Sequence, residues 1–160
     1  TEMKQLSRKD CYMIIMLIIC SVLLLAYPYF KAQHIYEFAS LSNRFQITAE
    51  KRQMEKKSTS FIRRSYHLQA EAYHNVHVYG HKGAMNVEEI AVFEAVPDYE
   101  NTVVNACEQR IDALKQSFAG YGITQLEVLE HAQIKRYGNL IVCIIASDAD
   151  ALLRESEAEL

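Results

Sequence analysis

The chain has 160 residues, a formal charge of −3 and an apolar fraction of 50%, yet its mean hydropathy is only −0.11 and its pI about 6.1. That length holds one domain plus an anchor rather than two full domains, and there is no clustered basic excess of the kind nucleic acids require. The apolar residues must therefore be unevenly placed, and most of the excess lies between Cys11 and Phe30.

The run CYMIIMLIICSVLLLAYPYF, residues 11–30, carries no charged side chain. At 1.5 Å per residue, about 20 such residues match a hydrocarbon core of about 30 Å, so the run predicts a transmembrane helix. A core helix of a small domain would not be apolar on every face. Tyr12 at one end and Tyr27, Tyr29 and Phe30 at the other suit the two interfaces. A cleaved signal peptide fits poorly, because neither Leu24-Leu25-Ala26 nor Phe30-Lys31-Ala32 makes a small-x-small site. Lipidation at Cys20 fits poorly too, because bulky Ile19 precedes it. Lys4, Arg8 and Lys9 crowd the N-terminal flank, whereas Lys31 alone closely follows the run. The positive-inside rule then makes residues 1–10 a cytoplasmic tail and puts residues 31–160 outside the cell membrane.

Residues 31–57 contain no Gly or Pro, and Ile35, Phe38, Leu41 and Phe45 recur at helical spacing. We read 31–57 as a helical stalk or linker ending in the charged stretch EKRQMEKK, with the folded domain at 58–160. Ser58-Thr59-Ser60 offers an N-cap for a short helix FIRRSYHL. Alternation predicts strands at Asn75–Gly80 and Val87–Val96, joined by the turn-like HKGAMN. Asp98 is placed as the N-cap or a first-turn residue of the longest helix, whose stripe is Val103, Val104, Cys107, Ile111, Leu114 and Phe118, with Gly120-Tyr121-Gly122 as its stop. Thr124 is expected to cap a second short helix. Gln133–Arg136 and Leu140–Ala146 then form a hairpin, and Ser147-Asp148 starts a terminal helix. LIVCIIA is apolar at both parities, as in a central strand. The expected fold class is α+β: an N-terminal transmembrane helix, then a small antiparallel sheet of about four strands with helices packed on one face.

Four groups of side chains could carry chemistry. His67, His74, His77 and His81 fall close together, but His74 breaks the strand parity shared by His77 and His81, so surface histidines describe them better than a zinc site. Cys107 and Cys143 would touch if the long helix packs on the central strand, and a disulfide is permitted outside the membrane; both positions read as core, and Cys11 and Cys20 lie in the span. Glu88, Glu89 and Glu94 read as solvated strand carboxylates, since nothing marks a pocket that would raise one pKa. The basic stretch 51–64 (Lys51, Arg52, Lys56, Lys57, Arg63, Arg64) suits a solvated face or an anionic lipid or polymer. There is no nucleophile elbow, phosphate-cradling glycine loop or zinc-protease motif, so no catalytic, cofactor or metal residue is assigned and no cofactor is expected.

The segments RRSYHL (63–68), AMNVEEIAVF (84–93), QRIDALKQSFAGY (109–121), LEVLEHAQI (126–134) and YGNLIV (137–142) together resemble a bacterial domain family of unknown function whose members carry an N-terminal hydrophobic segment. The family shows Tyr-Gly-Leu where this chain has Tyr66-His67-Leu68, a departure that gives no support to a glycine-dependent turn there and marks His67 as idiosyncratic rather than functional. The resemblance implies an extracytoplasmic α+β domain associated with membrane-bound O-acyltransferase systems that modify envelope polymers, and it transfers no catalytic residue. The leading expectation is a non-catalytic, membrane-anchored accessory subunit of a cell-envelope polymer modification or export complex, partnered with a multi-spanning membrane enzyme such as an O-acyltransferase. The alternative is an extracytoplasmic ligand- or polymer-binding or sensor module, using the basic stretch and Tyr66, Tyr73, Tyr79, Tyr121 and Tyr137 on an envelope polysaccharide. A third reading, a metal-dependent enzyme built on the histidines, stands behind both.

Overall fold

In the computed structural model, residues 12–14, 16–18, 20, 21 and 37–158 are described. The eight described residues before Tyr36 belong to a separate unit; they are helical and exposed, and the Ser21 hydroxyl donates to the Ile18 carbonyl at 2.8 Å. Among the described residues no helix is long and apolar enough to cross a membrane. The span expected at 11–30 lies largely outside the described residues, as do 1–10 and 31–36.

The second unit runs from Tyr36 onward. Its elements, in chain order, are α1 (Phe38–Lys51), β1 (Glu55–Lys56), α2 (Thr59–Tyr66), a 3-10 turn (Ala70–Ala72), β2 (Tyr73–Gly80), β3 (Glu89–Ala95), α3 (Glu100–Phe118), α4 (Ile123–Glu130), β4 (Gln133–Tyr137), β5 (Leu140–Ile145) and α5 (Ala149–Ala158). The α+β class and the antiparallel sheet are therefore as expected. The sheet has five strands in the order β1-β2-β3-β5-β4, antiparallel at every pairing.

The helices cover both faces of the sheet, not one. Every residue of β5 is buried, and in β3 only Glu94 is not. On one face Ala91, Phe93, Ala95, Ile141, Cys143 and Ile145 pack against α2, α3 and α4. On the other, Ile90, Val92, Leu140, Val142 and Ile144 pack against Leu41, Phe45 and Ala49 of α1 and Leu152 and Leu153 of α5. A sheet whose central strands are apolar at both parities has two faces to remove from water. The expected stalk supplies one cover: Leu41, Phe45 and Ala49, spaced four apart, form its inner stripe. Residues 38–57 thus belong to the folded unit, with Glu55–Lys56 pairing as its edge strand on Gly80 and Tyr79.

Local signals explain most boundaries. The Ser58 hydroxyl accepts from the Phe61 amide and caps α2 as expected. Two other expected caps do not form: Asp98 sits at φ 73° ahead of α3, which begins after Tyr99 without a side-chain cap, and Thr124 lies inside α4, which begins after Gly122. His67 ends α2 at φ 54° and ψ 22°, in the left-handed region. The turn that glycine favours at a helix C-terminus is made here by a histidine.

Candidate functional site

The most buried polar cluster joins three elements. Glu89, at the start of β3, is only 4% exposed, so its expected solvated position is corrected. Its carboxylate accepts from the Tyr66 hydroxyl at 2.6 Å and from Arg110 of α3 at 3.2 Å (Nε) and 2.9 Å (Nη2). A buried carboxylate demands partners of this kind, and the guanidinium fork supplies two. Burial, then the Glu89 charge, holds the Tyr66 phenol well above its usual range, so it stays a donor. Burial opposes the Arg110 charge, but the bond and charge of Glu89 more than offset it and raise its pKa. The Arg110 guanidinium also lies 5.4 Å from the Phe61 ring centroid, where a cation–π contact is favourable. The helix that carries Arg110 also brings Cys107 against Cys143, and both are buried free thiols. The hydrogen bond with Cys143, then burial, pushes the Cys107 thiol well up, which makes it a poor nucleophile.

A second cluster lies on the opposite face. The buried Ser42 hydroxyl is hydrogen-bonded to His77 Nδ1, and the Tyr79 hydroxyl lies 3.3 Å from the same nitrogen. The Phe38 ring meets His77 edge-on at 5.3 Å between centroids. Burial, then Lys56, lowers the His77 pKa, while burial raises that of Tyr79. The half-buried imidazole borders a shallow groove with Phe38, Ser40, Asn43 and Gln46. Ser42 also borders this groove, although it is only 3% exposed, and such a groove can hydrogen-bond a hydroxyl-rich ligand. Sequence reasoning missed this pairing because Ser42 and His77 are 35 positions apart and α1 was read as a stalk.

The other expected residues are dispersed. His67 and His74 are exposed, and His81 lies 3.3 Å from the Glu88 carboxylate. No group of three or more His, Cys, Asp or Glu among the described residues could hold a metal ion. Glu88 also accepts from Arg52, which bonds to Asp148 and so ties the end of α1 to the start of α5. Glu94 accepts from Asn75 at 2.6 Å. In the basic stretch, Lys51, Lys56, Arg63 and Arg64 are exposed, and Lys57 donates to the His81 carbonyl at 2.6 Å. Of the tyrosines expected to line a ligand surface, Tyr66 and Tyr79 are buried, Tyr73 and Tyr137 half-buried, and Tyr121 exposed.

The surface feature that sequence reading passed over is an apolar cap. Met85 in the β2–β3 loop is 59% exposed, Tyr121 in the α3–α4 corner 66%, and Ile123 at the start of α4 82%. The Gln125 side chain donates to the Met85 carbonyl at 3.0 Å, holding the two segments together. Tyr121 leans on Phe118 with ring centroids 5.6 Å apart. Gly122 draws the corner tight, because a Cβ there would lie 2.6 Å from Phe118 Cδ1. A shallow groove lined by Met85, Val87, Glu88, Thr124, Gln125 and Val128 runs between the segments. No sequence period marks this cap, because the loop that supplies Met85 and the helix α4 that supplies Ile123 meet only in the folded chain, through Gln125.

A family model described as a domain of unknown function (DUF4358) matches residues 48–146, from the last turn of α1 to just past β5. No curated protein and no solved structure matches the chain.

Proposed function

The chain belongs to this domain family of unknown function, and on that premise we propose that it is a non-catalytic accessory subunit, anchored in the cell membrane by residues 11–30 with its α+β domain outside. Its partner in this reading is a multi-spanning enzyme that modifies or exports an envelope polymer, such as an O-acyltransferase. The observation that carries the reading is the cap of Met85, Tyr121 and Ile123: large apolar side chains left to solvent on a corner held in place by Gly122 and Gln125. Exposed apolar clusters on small domains mark interaction surfaces. The buried Tyr66 and Glu89 and the half-buried Arg110 join three secondary-structure elements. The uncharged run at 11–30 has the length of a membrane span.

A tagged full-length protein, purified from its native membrane in mild detergent, should bring a multi-spanning enzyme with it in stoichiometric amount by mass spectrometry. A protein that comes out alone refutes the accessory reading. The groove beside Phe38 and His77 supports the second reading, a module that binds a hydroxyl-rich polymer. Envelope glycans that shift the Phe38 and His77 resonances would favour it, and unmoved resonances would remove it.

A further inference from the structure

We propose that the Met85–Tyr121–Ile123 cap, with the acidic outer face of α3 and α4 beside it, docks a polypeptide segment in which apolar side chains are flanked by Lys or Arg. This rests on the accessory-subunit reading and supplies the contact and the partner chemistry it lacks.

The helix α4 has two faces with different tasks. Leu129 is buried in the core, with Leu126 and Val128 packed behind it. The outward stripe is Ile123, Glu127 and Glu130, at i, i+4 and i+7, all exposed. One end of that stripe is apolar, two positions from Tyr121 and on the helix whose Gln125 bonds the Met85 carbonyl; the other is anionic. The anionic part extends onto α3, where Glu108 and Asp112 are exposed and share a shallow groove with Glu130 and Lys115. The cations of α3 are Arg110, bound to Glu89, and half-buried Lys115; α4 has none. Near the cap, Lys82 is paired with Glu55 at 2.7 Å.

Charge decides among occupants. An anionic leaflet would be repelled by Glu127, Glu130, Asp112 and Glu108, whose field a juxtamembrane surface ordinarily opposes with Lys and Arg. A second copy bringing the same face would set carboxylates against carboxylates. A segment with apolar side chains for the cap and basic ones for the stripe satisfies both parts. The corner is also organised before binding, since Gly122 against Phe118 and Gln125 on Met85 fix the spacing of the apolar groups.

The test places a photoreactive benzoylphenylalanine at Ile123 of the full-length chain, and at Asn101 as a control, in native membranes. The cross-linked peptides are then sequenced. The expected result is a cross-link from position 123, absent from 101, to an apolar segment flanked by Lys or Arg on another protein. Joint Glu127→Lys and Glu130→Lys should lower its yield about tenfold. A cross-link to the chain itself, to lipid, or to a segment without basic flanks overturns the proposal, as does a yield unmoved by the charge reversal. If the enzyme co-purifies but position 123 gives no cross-link, this docking surface fails while the accessory reading stands. If nothing co-purifies, the accessory reading itself falls.

Discussion

Replacing Arg110 by Met tests whether the Tyr66–Glu89–Arg110 cluster holds the α3 face to the sheet. The substitution keeps an unbranched stem near Phe61 but removes two of the three bonds to the Glu89 carboxylate. Glu89 then keeps one partner, Tyr66, in a site where its side chain is 5% exposed. Breaking a buried ion pair by removing one member costs about 3–5 kcal/mol, because the other charge is left uncompensated. The Arg110 side chain is 18% exposed, so water can reach part of the vacated space, and the expected loss is toward the lower end, about 3 kcal/mol. That is a large share of the roughly 5–15 kcal/mol that keeps a domain folded, and it would lower Tm by roughly 10 °C. Urea unfolding of the full-length chain in detergent, followed by far-UV circular dichroism, measures it. Adding Glu89→Met and Tyr66→Phe removes the orphaned charge and its donor, and should restore stability to within about 1 kcal/mol of the original chain. A single variant within about 0.5 kcal/mol of the parent, or a triple variant no better than the single, would refute the reasoning.

Phe45→Ala, in the helix first read as a stalk, should cost about 3–5 kcal/mol, and a chain starting at residue 58 should give no cooperative unfolding transition; a stalk would tolerate both changes. His67→Gly, at the left-handed end of α2, should raise stability by about 1 kcal/mol in the same assay. His77 titrates below its ordinary range because it is buried beside Ser42 and Tyr79 and lies near Lys56. The unfolded chain therefore takes up its proton first. The contribution is fully present above the unfolded pKa of about 6.5 and is lost as pH falls from there through the lowered folded pKa. His77→Gln should flatten that part of the stability–pH profile, and an unchanged slope would assign it to other groups.

The patterns that survive folding are those that depend on near neighbours in sequence. The alternation in 75–80, the stripe Val103–Cys107–Ile111–Phe118 and the cap at Ser58 identified β2, α3 and the start of α2, because period and capping are local. Leu140–Ile145, apolar at both parities, marked a central strand, yet the helices were expected on one face of the sheet only. No local pattern says which segment covers the second face, and α1 was not recognised as that cover because its apolar stripe reads equally well as that of a helical stalk. The location of Glu89 was not legible either. Its neighbours Glu88 and Glu94 keep partial access to water, and only the arrival of Tyr66 and Arg110 from two separate helices makes burial of that one carboxylate tolerable. The same holds for Ser42 on His77 and for Met85 beside α4: each contact spans 35 or more positions, and no period in the sequence encodes a meeting at that range. By itself the sequence determined most of the helices, four of the five strands, the class and an uncharged run long enough to span a membrane. The tertiary structure decided which carboxylate is enclosed and which apolar side chains are left facing solvent, because both depend on what packs against a residue from far along the chain.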